Sequence, residues 1–224
     1  MSAANGEVAG RVLRLRRLDC CAVSDALDRL GLPGVVSGLP QRSGSGRIAG
    51  RVITVKLGTG EPPAGVPVHL GCKAIEAGGT DDVVVVEQLT GIEAGSWGGI
   101  LSLGAKLRGI AGVIADGPVR DIDEAIGYGF PVFARATTAR TARGRIVEKG
   151  TNVPIEVYGL AVQAGDYVIA DSSAVIFIAE DNIGRVLDAA EQIVLKELSM
   201  AKALLEGAAI SQVMGGAYEN MLKN

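Results

Sequence analysis

Histidine is nearly missing from this chain. Among 224 residues there is one, His69. A single histidine excludes the HExxH zinc motif and His-rich metal sites, and it strains any Ser–His–Asp reading. Cysteine is scarce too: Cys20, Cys21 and Cys72 have no CxxC spacing. They fit a reducing cytosol, where cysteines serve as small buried hydrophobes. Aromatic residues make up only 4%, so the core has to come from Val, Ile, Leu and Ala. No apolar run approaches the ~18 residues of a membrane span. The stretch MSAANGEVAGRVLRLRRLDC lacks an apolar segment ahead of a cleavage site, so no signal peptide is expected and the chain reads as cytoplasmic. The formal net charge of −3 gives no basic footprint for nucleic acid.

Glycine is what the chain has in excess: 32 residues of 224, about twice the ordinary ~7%. It shows no period of three, which excludes a collagen-like helix. A hydrophobic fraction of 48% with 21% charged residues argues against disorder. The length and the absence of linkers or repeats predict a single domain over 1–224, with 181–224 as a C-terminal helical extension. Residues 11–31 read as two helical pieces, with Ser24 as a cap and Gly31 as a stop. A strand is predicted over 47–57 and a helix over 67–77, in which His69 is a packed or capping residue. The valines of 82–88 predict a strand buried on both faces. A helix over 98–108, a strand over 112–116, a helix over 120–127 and a strand over 130–134 follow. Short strands at 155–158, 160–162, 167–170 and 175–178 lead to a long amphipathic helix ending at 205. The fold class is α/β, with a mixed or barrel-like sheet and a C-terminal helical arm.

The stretch from Gly95 to Glu124 carries the chemistry. A helix over 98–108 spans ~16 Å, and a strand over 112–116 returns ~17 Å. The helix start at Gly98-Gly99 and the segment from Asp116 to Asp121 therefore share one end of the domain. That end suits a small oxyacid. The amides of Gly99, Ile100 and Leu101 can receive a carboxylate at the helix N-terminus. Arg120 adds a planar cation matched to a carboxylate, and Asp121 supplies a hard oxygen ligand. The same Arg-Asp pair could equally be a capping carboxylate beside a solvated arginine. Lys106 is the one lysine within the stretch and sits mid-helix, which disfavours a Schiff base.

Gly99, twenty intervening residues, Arg120-Asp121, two more and Glu124 resemble the G-X20-R-D-X2-E/D signature of RraA-like proteins. Val23 to Asp28, Arg51 to Val55, Gly129 to Arg135 and Val162 to Asp171 resemble segments of that family in the expected order, so the likeness covers about residues 10–205. The family includes 4-hydroxy-4-methyl-2-oxoglutarate aldolases and regulators of ribonuclease E activity. The resemblance implies a swivelling-type β/β/α core assembled as a homotrimer or a hexamer. It also implies a Mg²⁺ or Mn²⁺ site in a lyase that forms pyruvate, as an aldolase or an oxaloacetate decarboxylase. By position, Asp121 would be the direct metal ligand and Arg120 would contact the substrate. The backbone of Gly98, Gly99, Ile100 and Leu101 would hold the pyruvyl carboxylate. Glu124 is a supporting candidate, and Glu197 on the long helix would face a neighbouring subunit's site, with Glu191 also available. Mg²⁺ keeps several waters and uses one or two carboxylates, which this set provides. The metal acts as a Lewis acid on the enolate left by carbon–carbon cleavage.

One departure separates the chain from the D-X20-R-D pattern of the active aldolases: Gly99 stands where they carry an acid. That feature resembles the regulatory branch, whose members bind and inhibit an RNA-degrading endonuclease without catalysis. A third reading is a family-fold enzyme for a different 2-oxo acid. Asp116 or Asp123 could stand in for the missing acid, and an acid restored at Gly99 is expected to raise lyase activity.

Overall fold

A computed structural model of the chain describes residues 3–64 and 68–215. Two helices, α1 (Ala3–Leu15) and α2 (Cys20–Leu30), come first. The strands β1 (Val35–Val36), β2 (Gln41–Ser43) and β3 (Ile48–Gly58) follow. The middle of the chain then alternates: α3 (Cys72–Ala77), β4 (Asp82–Glu87), α4 (Gly99–Leu107), β5 (Val113–Val119), α5 (Ile122–Tyr128) and β6 (Val132–Thr137). Short strands come next, β7 (Val147–Thr151), β8 (Ile155–Val157), β9 (Leu160–Val162), β10 (Tyr167–Ala170) and β11 (Val175–Ile178). The helices α6 (Ile183–Leu205) and α7 (Ile210–Val213) complete the described part.

The main sheet has the order β1-β11-β10-β3-β4-β5-β6-β2, with β7 also on β3. Strands β3 to β6 are parallel; β10, β11, β1, β2 and β7 join antiparallel. Alternation along the strands sorts the core into layers. Ile53, Val55, Val84, Val86, Val113 and Ala115 face α3, α4 and α5. On the same side of the sheet, Ala49, Tyr167, Ile169, Ile176 and Ile178 pack against α1, α2 and α6. The alternate residues Val52, Val83, Val85, Ile114 and Val168 face the β8–β9 hairpin through Ile155, Val157 and Val162. The result is a β/β/α layering over a mixed sheet, in line with the expected fold class. None of the helices in the described residues is long and apolar enough to cross a membrane.

Local departures from expectation have local causes. The cap of α2 is Asp19, whose carboxylate accepts from the Ala22 amide at 2.9 Å, and not Ser24. Gly31 ends that helix in the left-handed conformation, as its sequence position implies. The helix expected over 67–77 begins only at Cys72, because Gly71 precedes it at φ 80°; Pro67 lies outside the described residues. His69 is consequently in a loop and exposed. Strand β5 runs on through Gly117-Pro118 to Val119, its pairing with β6 shifting register between Ala115 and Pro118. A Gly-Pro step reads as a breaker, yet here it sits in a bulge. The C-terminal extension is helical from Ile183 to Leu205; residues 216–224 lie outside the described residues. Its first half is buried through Val186, Leu187, Ala190 and Ile193, whereas Leu195, Leu198 and Leu205 are exposed.

Candidate functional site

A cavity of about 380 Å³ opens at the C-terminal end of the parallel strands, lined by Gly95, Trp97 to Leu101 and Arg120-Asp121. The backbone builds it by joining two segments. The Ser96 amide and hydroxyl both donate to the Pro118 carbonyl at 2.8 Å, and the Arg120 amide donates to the Trp97 carbonyl at 2.9 Å. Trp97 is buried; its indole N–H donates to the Ser102 hydroxyl at 3.0 Å, which in turn donates to the Gly98 carbonyl at 3.0 Å. These bonds fix the start of α4 against the end of β5, as the lengths of helix and strand require.

Three glycines then make room for three charged side chains. A Cβ at Gly95 would come within 2.8 Å of Arg120 Cγ. One at Gly98 would lie 2.9 Å from Asp121 Oδ2. One at Gly99 would fall 1.8 Å from Glu124 Oε2. The Arg-Asp-x-x-Glu run is thus threaded onto Gly95, Gly98 and Gly99, and two carboxylates converge on the first turn of α4.

Asp121 itself is held in an unusual conformation, φ 56° and ψ 40°, as the residue before α5. Asp is among the few side chains that tolerate this region, and such a residue persists only where its surroundings enforce it. Its Oδ2 accepts the Gly99 amide at 3.2 Å, so that amide is engaged and not free as the sequence suggests. Arg120 Nε reaches both carboxylate oxygens at 3.1 Å. All three contacts are long for bonds to a charged acceptor, which usually lie at ~2.7–2.9 Å. Both side chains are about one-third exposed, at 33% and 31%. The carboxylate is therefore accessible and loosely held.

The remaining expected residues divide. Gly98, Gly99, Ile100, Leu101, Arg120 and Asp121 all line the cavity, and Glu124 abuts it at Gly99. Neither suggested stand-in for an acid at 99 serves: Asp116 is fully buried and bonded to Arg135 and the Tyr158 amide, and Asp123 is exposed on α5. Glu124 occupies the space instead. Lys106 donates to the Tyr128 carbonyl and is not among the lining residues. Glu197 does not line this chain's cavity; partial burial and the charges of Asp19 and Asp25 push its carboxyl up. Glu191 is tied to Arg14 by two bonds of 2.8 Å.

The other wall was not read from the sequence. It comes from His69, Leu70 and Cys72 and from Thr141, Ala142 and Arg143. Partial burial, and then the charge of Arg143, lower the His69 pKa below its ordinary value. Burial and the nearby Glu76 and Glu148 carboxylates raise the Cys72 thiol. Gly71 was the available signal for His69, since a glycine at that place ends the expected helix early. Thr141 to Arg143 lie in an irregular stretch with no pattern to mark them.

Donor chemistry decides what ion would fit. Among the described residues no three His, Cys, Asp or Glu side chains cluster into a metal cage. An ion that demands an all-protein shell is therefore unsuited. A hard cation that keeps its waters and takes one or two carboxylates is suited, and Asp121 with Glu124 beside it offers that.

Residues 20–177 match the RraA-like family model, described as Aldolase/RraA. A Halalkalibacterium halodurans protein carrying the provisional name 4-hydroxy-4-methyl-2-oxoglutarate aldolase is 29% identical over 81% of this chain and 82% of its own length. Protein DlpA of Legionella pneumophila is 25% identical over 85% of this chain, which spans only 31% of that relative. An uncharacterized Pseudomonas syringae protein of known structure superposes with a TM-score of 0.81 at 26% identity, covering 92% of this chain and 98% of that one. RraAS2 of Streptomyces coelicolor, a member of the RNase ES inhibitor RraA family, shares the fold at a TM-score of 0.74 and 23% identity, over 88% and 98% of the two chains. With its family model covering most of its length and its motif built into one cavity, this chain belongs to the RraA-like family.

Proposed function

We propose that this chain is a divalent-metal-dependent carbon–carbon lyase that releases pyruvate from a 2-oxo acid. The observation that carries the reading is the convergence of the Asp121 and Glu124 carboxylates on Gly98-Gly99, beside Arg120, in an accessible cavity. Asp121 would hold the cation, with Glu124 positioned to orient its waters. When bound, Mg²⁺ or Mn²⁺ supplies Lewis acidity toward the keto oxygen of the substrate.

The chain's own residues do the rest. Arg120 pairs with the substrate's carboxylate, and the first turn of α4 adds amide donors and the positive end of its dipole. Trp97, Leu70, Leu101 and Ala142 line the cavity and exclude water around the reacting bond. Arg120 acts by charge, since a guanidinium is a poor base. Retro-aldol cleavage and oxaloacetate decarboxylation leave the same three-carbon enolate, so one site serves both. In an oligomer, Glu197 of a neighbouring copy is the candidate to complete the site.

The regulator reading draws on Gly99 and on the fold shared with RraAS2. Glu124 brings a carboxylate beside Gly99, but it belongs to the signature of the whole family and favours neither reading; the Asp121 carboxylate in the accessible cavity is what supports the lyase. The test is pyruvate release from oxaloacetate and from branched 4-hydroxy-2-oxo diacids, with Mg²⁺ and with chelator. Turnover that chelation abolishes is expected. Turnover indifferent to chelation removes the metal site; absent turnover with tight endonuclease binding establishes the regulator.

A further inference from the structure

We propose that His69 is the acid–base group of this cavity, taking the hydroxyl proton of a 4-hydroxy-2-oxo acid and later returning it to the three-carbon product. The inference rests on the lyase reading and deepens it, because it names the residue that separates aldol cleavage from decarboxylation.

The cavity leaves few alternatives. Among the described residues its titratable lining consists of His69, Cys72, Arg120, Asp121 and Arg143, and Glu124 abuts it at Gly99, where the lyase reading gives it the waters of the cation. A guanidinium offers donors and no acceptor, so the two arginines supply no base. The Cys72 thiol is raised and stays protonated. Asp121 accepts from Arg120 and Gly99 and faces the proposed cation position. His69 remains. It stands at the exposed mouth, on a loop that Gly71 separates from α3. Arg143 is the charge that acts on the ring, and Glu148 lies close behind, its carboxylate accepting the Gly71 amide at 2.8 Å. Arg120 and Asp121 face the cavity from its other wall. Near neutral pH the imidazole is uncharged and carries a lone pair, the form a general base needs.

The step balances without a co-reactant. The C4 hydroxyl proton passes to the imidazole as the C3–C4 pair collapses toward C2, so that C4 becomes a carbonyl and the other fragment an enolate. The imidazolium then gives the proton to C3, which yields pyruvate and restores neutral His69. Decarboxylation of oxaloacetate has no hydroxyl proton to remove, and water can protonate C3.

The test compares His69→Gln with the wild-type protein on both reactions, across pH and with matched thermal melts. Aldol cleavage is expected to fall in kcat by about 100-fold, while oxaloacetate decarboxylation changes by less than about threefold. The acid limb of the aldol pH profile, set below the ordinary histidine range, is expected to vanish in the variant. Equal losses in both reactions, or none, overturn the inference. So does a wild-type protein that decarboxylates oxaloacetate but cleaves no 4-hydroxy acid, and that outcome leaves the lyase reading standing. A wild-type protein that releases no pyruvate from either substrate overturns both.

Discussion

Two arginine–aspartate pairs have their carboxylates on β5 and just past its end, and they are built to opposite specifications. Asp116, near the middle of β5, is fully buried, accepts Arg135 Nε at 2.7 Å and the Tyr158 amide at 2.9 Å, and its partner's guanidinium stacks 4.2 Å from the Tyr158 ring. Asp121, just past the end of β5, is one-third exposed and held only by contacts of 3.1 to 3.2 Å. Sequence puts both aspartates in one segment at the same end of the domain. Burial separates them. A buried carboxylate with every oxygen satisfied joins the β8–β9 hairpin to the sheet; an exposed one with long bonds is available to exchange partners.

The largest effect should come from breaking the buried pair. Asp116→Ala leaves Arg135 and the Tyr158 amide without their acceptor, at a cost of about 3 kcal/mol. Urea unfolding should register that loss, while the folded fraction keeps its activity. Asp121→Asn should do the reverse. Asn tolerates the left-handed backbone, so the melting point should stay put, while pyruvate release falls by about 100-fold, equivalent to ~2.7 kcal/mol. An active Asp121→Asn protein would mean that both pairs are structural.

Gly99→Asp sharpens the comparison from the side of the helix. An added side chain would push the exposed Glu124 carboxylate out of its place; where the motif alone leads to a rise, a site that uses Glu124 should lose activity, by about tenfold or ~1.4 kcal/mol. Adding Glu124→Ala should recover most of that loss. If the single variant gains activity, the Glu124 argument fails. The smallest effect concerns a structural acid without an arginine. Asp171, although partly buried, accepts the Cys20 amide at 2.9 Å and the Ser173 amide at 2.8 Å, and these bonds hold its carboxyl below the ordinary range. A group depressed in the folded state contributes stability above its unfolded pKa of ~3.9 and loses it as pH falls through the folded value. Asp171→Asn should therefore destabilise at neutral pH and bring no added loss in strong acid, as read from denaturant midpoints.

Much of the fold was legible because aliphatic periodicity is strong here. The valines of β4, the apolar stripe of α6 and the apolar runs of β10 and β11 sit where the pattern puts them. The near wall of the cavity was legible as well, since a helix of known rise and a strand of known length must meet. The far wall was not. His69 belongs to a loop because one left-handed glycine stops α3 from reaching it, and periodicity carries no information about that. Glu124 was legible as part of a motif but not as the occupant of the space at Gly99, a fact of side-chain volume that emerges only when both helices are in place.

That interlock ties two positions into one variable. A chain with this backbone can bring a second acid beside Asp121 from position 99 or from position 124, and a side chain at 99 requires the exposed Glu124 carboxylate to swing aside. The conformation of Glu124 is therefore tied to the residue at 99. A change at 99 is felt first at Glu124, while Asp121 keeps its place in the cavity.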